Sequence, residues 1–197
     1  MSTEIASRFW KEQQAYPFPF TNHRRIHELN YLVPRLKKVE GKRLLDLGCG
    51  HGALLECLVH LTAFEEFYGF DIAADLLAGI NPRVKTEVYD FTQPRPLPEV
   101  DVTIIAGVIQ YIFSDEAVDR VLALTTSKVV YVRSTCTLKP EDEPVVRDGY
   151  ASLYRTVTHT LDLLGRHFEV SAVDRVYPDE IESPYGTRQF YFEARRR

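Results

Sequence analysis

A glycine-rich turn between an apolar segment and a helical segment constrains the fold of this chain more than any other feature. The run is Leu44-Leu45-Asp46-Leu47-Gly48-Cys49-Gly50-His51-Gly52. Glycine at these positions lets the backbone turn sharply and lets a ligand approach without Cβ atoms in the way. The pattern Gly48-x-Gly50-x-x-Ala53 also satisfies a dinucleotide fingerprint, so the glycines alone do not identify the ligand.

Short apolar or β-branched runs alternate with helical or turn-like sequence along the chain. The predicted strands are residues 43–47, 66–70, 85–89, 101–105, 128–133, 168–175 and 188–194. The first five of these strands alternate with helical sequence, which predicts βαβ units and a parallel sheet. The last two flank a turn-rich stretch and predict a final antiparallel hairpin. We therefore expect a doubly wound α/β fold with a mostly parallel seven-strand sheet and an antiparallel last strand.

Four segments have helical spacing of apolar residues or a helix-start signal. They are residues 23–39, 52–61, 117–124 behind the N-cap sequence Ser114-Asp115-Glu116, and 150–164. Residues 52–61 and 117–124 are expected to cover the sheet. Residues 23–39, with the aromatic and proline-broken segment 9–20 before them, are expected to form an N-terminal helical cap whose first part acts as a mobile lid.

Length and composition limit the domain organisation and the partners. The chain has 197 residues and 45% apolar content, which suits one domain: a cap or lid in residues 1–40 and an α/β core in residues 41–197. A net charge of -4 makes nucleic acid an unlikely partner and favours a small molecule. The N-terminal sequence lacks a signal-peptide pattern, so we expect a cytoplasmic protein with no membrane partner. The odd, widely spaced cysteines predict no metal site.

The glycine turn and the strand ends after it resemble the motifs of the class I S-adenosylmethionine-dependent methyltransferases, a Rossmann-like family. Its first motif has an acid two places before the glycine run, as Asp46 stands before Gly48. The resemblance continues at the acid Asp71 after the second strand, at the pair Asp90-Phe91 after the third, and at the segment that begins with Ala106-Gly107. It covers about residues 41–134 by motif.

This resemblance implies that S-adenosylmethionine is the cofactor. The implied binding residues are Asp46, Gly48, Cys49, Gly50, Gly52, Asp71, Ile72, Asp90, Phe91, Ala106 and Gly107. Among them, Asp71 is expected to accept hydrogen bonds from the ribose hydroxyls, and Asp90 to meet the adenine amino group. Many relatives carry His or Glu where this chain has Gln110, so no titrating base is expected there.

Methyl transfer from a sulfonium depends on alignment of the acceptor atom, and a dedicated base is optional. The candidate catalytic residues are Arg133, at the end of the fifth strand, and Tyr154 and His159, which the predicted helix 150–164 would place on one face with Tyr150. Arg147, Arg155 and Arg188 lie on segments that could reach the same edge. These residues also have purely structural interpretations. The tyrosines could pack in the core, His159 could lie at the helix surface, and the arginines could form surface ion pairs.

The expected function is methyl transfer to a small hydroxylated or anionic metabolite, such as a sugar or a molecule that bears phosphate or carboxylate. An RNA or protein methyltransferase is the first alternative, and it would need a basic, aromatic face built from Trp10, Arg24 and Arg25. A binding module without catalysis is the second. An oxidoreductase that uses a nicotinamide is disfavoured by Asp46, Asp90 and the hairpin ending.

Overall fold

The computed structural model describes residues 2–15, 22–147, 149–182 and 186–197, with the side chain of Asn22 left out. Its helices are α1 (Ser2–Lys11), α2 (Asn22–Leu36), α3 (Ala53–Leu61), α4 (Ala74–Leu77), α5 (Asp115–Leu124) and α6 (Val157–Gly165), with 3-10 turns at Ile109–Tyr111 and Asp179–Ile181. Its strands are β1 (Arg43–Leu47), β2 (Glu66–Asp71), β3 (Val84–Val88), β4 (Val102–Ala106), β5 (Val129–Thr137), β6 (Glu143–Arg147), β7 (Tyr150–Tyr154), β8 (Phe168–Arg175) and β9 (Thr187–Arg196).

The main sheet has the strand order β3-β2-β1-β4-β5-β9-β8 across the described ranges. Strands β1 to β5 are parallel, whereas β9 runs antiparallel to both β5 and β8. This confirms the predicted mostly parallel seven-strand sheet with an antiparallel last strand. The order reverses between β1 and β4, and open α/β sheets bind ligands in the crevice outside the carboxyl ends of the strands at such a point.

Two apolar clusters cover the sheet. Leu44 of β1 packs in a cluster with Leu32 of α2 and Leu55 of α3, whereas the next residue, Leu45, packs in a cluster with Val118 of α5. Neighbouring residues of a strand point to opposite faces, so helices are needed on both sides. Strands that are apolar on both faces must be buried on both faces, which explains why helices cover the two sides of the sheet.

The predicted helix 150–164 is wrong in its first part. Tyr150 to Tyr154 form strand β7, which pairs antiparallel with β6 in a separate two-stranded sheet. The helix α6 begins only at Val157, after Thr156, whose hydroxyl oxygen accepts a hydrogen bond from the backbone N–H of His159. Tyr150 and Tyr154 therefore do not share a helical face with His159.

The N-terminal segment also differs from its prediction. Phe9 and Trp10 lie inside the regular helix α1, which packs on β7 and on the turn Ile109–Tyr111. Its small residue Ala6 is buried. The proline-broken part of the expected lid, residues 16–20, lies outside the described residues. Within the ranges that the structure describes, no helix has the length and apolar character required to cross a membrane.

Candidate functional site

The turn after β1 is held in a conformation that favours glycine. Gly48, Gly50 and Gly52 have φ values of 89°, 56° and 73°. The backbone N–H groups of Gly48 and Cys49 both donate to the carbonyl oxygen of Phe70, at 2.6 and 3.0 Å. A Cβ atom on Gly48 would overlap Cγ2 of Val108. The turn is therefore packed tightly between β2 and the segment after β4.

A first cavity of about 620 Å³ lies beside this turn. Many of the expected cofactor residues line it together: Gly48, Gly50, Asp71, Ile72, Asp90, Phe91, Ala106 and Gly107. They come from segments that lie far apart in sequence, and the parallel strand order brings them to one edge of the sheet. The strand-end motifs thus meet at a single concave surface.

Asp71 joins the end of β2 to the glycine turn. Its Oδ2 accepts from the backbone N–H of Gly50 at 2.7 Å, and its Oδ1 accepts from that of Ala73 at 2.9 Å. Burial raises the pKa of this carboxyl, and the backbone hydrogen bonds partly oppose that rise. Each carboxylate oxygen has a second lone pair that can accept another hydrogen bond. Asp71 can therefore support the turn and accept hydroxyl groups at the same time.

Asp90 follows β3 and meets the N-terminal helix. Its Oδ2 lies 2.7 Å from Nζ of Lys11, and its Oδ1 accepts from the backbone N–H and the hydroxyl of Thr92. Burial raises the pKa of Asp90, but the bonds from Lys11 and Thr92 outweigh burial and hold it below its usual value. The last turn of α1 is thereby tied to the first cavity.

A second cavity of about 440 Å³ shares Gly48, Gly50 and Ala106 with the first. Its other lining residues include Asp46 and Cys49 from the expected cofactor set, and the charged side chains Arg25, Glu28 and Arg133. Arg133 Nε and Glu28 Oε1 form an ion pair at 2.7 Å. Gly52 lines neither cavity, although it completes the turn.

Asp46 is a buried acid in the second cavity with an unsatisfied oxygen. Asp46 is 2% exposed, and its Oδ1 has no hydrogen-bond partner among the described residues. Burial raises its pKa to about 8, repulsion from Glu28 and Asp71 adds to the rise, and Arg133 opposes it. A buried acceptor left without a donor is costly, so Asp46 is suited to receive a cationic donor from a ligand.

The structure does not bring the three candidate catalytic residues together. Arg133 lines the second cavity, bound to Glu28 and hydrogen-bonded to Gln189. Tyr154 and His159 line neither cavity. Both ring nitrogens of His159 face carboxylates, with Nδ1 at 2.5 Å from Asp142 and Nε2 at 2.8 Å from Asp115. This arrangement suits a histidine that holds the starts of α5 and α6 in place.

Two other arginines of the expected acceptor edge make contacts within the protein. Arg155 is 1% exposed and donates to the side chain of Asp115 and to the carbonyl oxygens of Ile109 and Ile112. Arg188 pairs with Asp179. Arg155 therefore anchors the turn after β4 to β7, and its guanidinium is committed to that role.

Several cavity residues were missed by the motif analysis. From α1 they are Thr3, Ala6, Ser7 and Trp10, and from the segment after β4 they are Val108, Tyr111 and Ile112. The α1 set follows the spacing i, i+3, i+4 and i+7, which is the signal of one helical face and could have been found by counting in residues 2–11. Val108 and Tyr111 belong to the recognised segment that begins with Ala106-Gly107, but they were not assigned to the site.

Phe9, Trp10, Tyr111 and Tyr150 form what we call the aromatic cluster, at the junction of α1, β7 and the turn after β4. Trp10 and Tyr111 are 5.0 Å apart between ring centroids in an edge-on arrangement, and Phe9 meets Tyr150 in the same way at 5.3 Å. Tyr150 also donates its hydroxyl hydrogen to the Tyr111 hydroxyl oxygen at 3.4 Å. These contacts fix α1 over the first cavity.

No protein family model matches the sequence of the chain, and no curated protein matches it. Solved structures do match its fold. A methyltransferase of Leishmania major that depends on S-adenosylmethionine superimposes with a TM-score of 0.72 and 16% identity, over 98% of this chain and 82% of that one.

Two further solved structures match the whole chain. Magnesium protoporphyrin IX methyltransferase from Synechocystis, solved with bound S-adenosylmethionine, has a TM-score of 0.67 and 14% identity, over 100% of this chain and 98% of that one. Geranyl diphosphate C-methyltransferase from Streptomyces coelicolor, solved with S-adenosylhomocysteine, has a TM-score of 0.69 and 11% identity over the same shares. The chain has the Rossmann-like fold of the class I S-adenosylmethionine-dependent methyltransferases.

Proposed function

We propose that the protein binds S-adenosylmethionine and transfers its methyl group to a small molecule. The observation that carries this proposal is the pair of joined cavities at the glycine turn, one beside Asp71 and Asp90 and the other beside the unsatisfied Asp46. The two have complementary chemistry for the two ends of one elongated ligand.

The residues present fit the cofactor. In the first cavity, Asp71 would accept from the ribose hydroxyls, while Ile72 and Phe91 offer apolar surface to the adenine. In the second, Asp46 would accept from the ammonium of the amino-acid end, which supplies the donor that its Oδ1 lacks. Gly48, Gly50 and Ala106 line both cavities, so the middle of the ligand would pass over the bare backbone of two glycines and the small side chain of Ala106.

When bound, this cofactor supplies a methyl group on an activated sulfonium. The task of the protein is then to align an acceptor atom with that methyl and to keep water away. Helix α1 supports this role because Thr3, Ser7 and Trp10 form a wall of the first cavity. Within our proposal the acceptor is a hydroxylated metabolite small enough to lie under α1; an anionic metabolite, the other class predicted from sequence, loses the support of Arg155.

The cap does not favour the alternative of an RNA or protein substrate. Trp10 lines the first cavity, and Arg25 lines the second. Arg24 donates to the carbonyl oxygen of Ile181 and lies over the ring of Tyr177. These side chains therefore do not build a shared outward surface. The single-domain organisation and the cytoplasmic location stay predictions from the sequence.

Calorimetry with S-adenosylhomocysteine tests the proposal. Asp71→Ala should weaken binding by about 10- to 100-fold, because hydrogen bonds to a charged acceptor contribute about 1.5–3 kcal/mol. Asp75→Ala is the matched control, since Asp75 is exposed in the first turn of α4. Binding of NADH without any heat from S-adenosylhomocysteine would contradict the proposal. Binding of the cofactor without turnover of any acceptor would favour the non-catalytic module.

A further inference from the structure

The charges of the two cavities are divided unequally. The second cavity carries Arg25, Arg133, Glu28 and Asp46, a mixture that suits a zwitterion. The first cavity carries Asp71 and Asp90, and no Lys, Arg or His lines it among the described residues. An amino-acid group, with its ammonium and carboxylate, therefore finds partners of both signs only in the second cavity.

The remaining wall of the first cavity is apolar and aromatic with a few hydroxyls. Trp10, Tyr111 and Ile112 provide the apolar surface, and Thr3 and Ser7 provide small hydroxyl groups. Ring faces and edges of this kind favour a planar, uncharged partner. An anion in this place would lie beside the carboxylate of Asp71, which repels it, and none of the described lining residues offers a cation that would offset this repulsion.

The nearest cation does not change this balance. The guanidinium of Arg133 lies 3.0 Å from the position that a Cβ of Gly107 would occupy. It is paired with Glu28 and hydrogen-bonded to Gln189. Lys11, at the edge of the cavity, is paired with Asp90. Both positive charges are thus compensated by side chains of the protein itself.

Among the described residues no His or Lys lines the first cavity, and the carboxylates of Asp71 and Asp90 already accept hydrogen bonds from the protein. This limits the acceptor to groups that lose a proton readily. His159 is held between Asp115 and Asp142, away from the first cavity. A phenol has a pKa of about 10, whereas water has a pKa of about 16 and an aliphatic alcohol resembles water in this respect. A phenol therefore loses its proton far more readily than an aliphatic alcohol does. A phenolic acceptor therefore places the smallest demand on a site in which alignment supplies most of the catalysis.

We propose that the methyl acceptor is an uncharged phenol that binds against Trp10, Tyr111 and Ile112, while Arg25 in the second cavity serves the carboxylate of the cofactor. This inference rests on the proposed function and names its substrate class. In the transfer step the phenolic oxygen forms a bond to the methyl carbon, the bond from that carbon to sulfur breaks, and its electron pair stays on sulfur. The phenolic proton leaves to water.

The sequence provides a probe at the proposed position. Trp10 is the single tryptophan of the chain, so intrinsic tryptophan fluorescence reports on the wall of the first cavity alone. The protein is first saturated with S-adenosylhomocysteine, and saturation is verified by calorimetry. It is then titrated with 4-methylphenol or with 4-hydroxybenzoate, which have the same ring and hydroxyl but differ in charge.

We expect saturable quenching by 4-methylphenol, with 4-hydroxybenzoate at least about tenfold weaker because like charges are brought together. Tyr111→Leu should weaken binding of 4-methylphenol by about two- to tenfold, the contribution of one aromatic contact. Tyr68→Leu is the control, since Tyr68 lines neither cavity. Methyl transfer to 4-methylphenol, followed with radiolabelled cofactor, should show the same order among the variants.

Two failures are distinguishable. If S-adenosylhomocysteine binds but 4-methylphenol does not quench Trp10, or if 4-hydroxybenzoate binds as tightly, the phenol inference is wrong and the proposed function stands. A preference for 4-hydroxybenzoate that disappears in Arg133→Ala would assign the arginine to the acceptor instead. If S-adenosylhomocysteine itself does not bind, both the proposed function and this inference fail.

Discussion

Lys11 Nζ and Asp90 Oδ2 lie 2.7 Å apart and join the last turn of α1 to the loop after β3. Asp90 is also the residue expected to meet the adenine of the cofactor. The same carboxylate therefore holds the N-terminal helix over the first cavity and forms part of that cavity. Movement of α1 away from the first cavity would break this ion pair.

Lys11→Met should make α1 open more often. The pair is partly exposed, so its loss is expected to change the free energy of opening by about 0.2–1 kcal/mol, up to about a fivefold change in the open population. Hydrogen exchange of residues 2–15, with and without S-adenosylhomocysteine, measures this change. Lys42→Met, which removes a surface pair with Glu65 at 2.8 Å, is the control. Unchanged exchange in Lys11→Met would show that the ion pair with Asp90 does not hold the helix in place.

Binding of the cofactor should release a proton from Asp46. Its pKa in the free protein is about 8, because the carboxyl is buried. Below that pH the group is mostly protonated, whereas a bound ammonium favours the carboxylate. Affinity should therefore rise by up to about tenfold per pH unit from about pH 6 to pH 8, level off once Asp46 is ionised, and fall at higher pH as the cofactor ammonium loses its proton.

Calorimetry at about pH 6.5 in phosphate and in imidazole buffer detects that proton, because the two buffers differ in enthalpy of ionisation. The observed binding enthalpies should differ in the native protein and agree in Asp46→Asn, which has nearly the same shape and does not titrate. Equal enthalpies in the native protein would mean that Asp46 does not contact the ammonium.

Gly50→Ala should weaken cofactor binding more than it weakens the fold. The backbone at Gly50 has a φ of 56°, a left-handed conformation that costs an alanine about 1–2 kcal/mol. Gly186→Ala is a matched control: its φ is 70°, and a Cβ there would meet nothing within 4 Å. Denaturant unfolding should show similar losses of stability in both variants. Only Gly50→Ala should lose affinity for S-adenosylhomocysteine, and equal affinities in the two would exclude a close approach of the ligand to this turn.

The sheet was predictable because its signals are local. Strands β1, β2, β4 and β5 are rich in apolar residues, and β2 ends in Asp71, an acid that suits a ligand edge. Strand boundaries moved by only a few residues, for example at β9, which is Thr187–Arg196 where residues 188–194 were predicted.

The hairpin β6–β7 was missed although its signal is local. The spacing of Tyr150 and Tyr154 is four residues, which fits one face of a helix and also one face of a strand. Strand β7 pairs with β6 across the turn at Gly149, which has a φ of 82°, and the dipeptide Asp148-Gly149 in the sequence is a hairpin signal. The position of α1 depends instead on nonlocal contacts, because its neighbours Tyr111 and Tyr150 become neighbours only after the sheet has formed.

Arg155→Met should lower stability and leave acceptor binding to the folded protein unchanged. Arg155 donates to the carbonyl oxygens of Ile109 and Ile112 and pairs with Asp115. Methionine fills a similar volume but offers no donor, so the two carbonyl groups lose their partner. Asp115 is partly exposed and can be hydrated, which limits the cost to about 2–3 kcal/mol.

Arg188→Met is the comparison, because its pair with Asp179 lies at the surface and its loss should cost under about 1 kcal/mol. Denaturant unfolding gives the two stabilities, and steady-state kinetics at a temperature where both variants are folded gives the acceptor KM. An anion-binding role for Arg155 predicts the opposite pattern, a raised KM with little change in stability. The burial of Arg155 and its two carbonyl acceptors favour the first pattern, because a guanidinium that left them for a ligand would strand both carbonyl groups inside the protein.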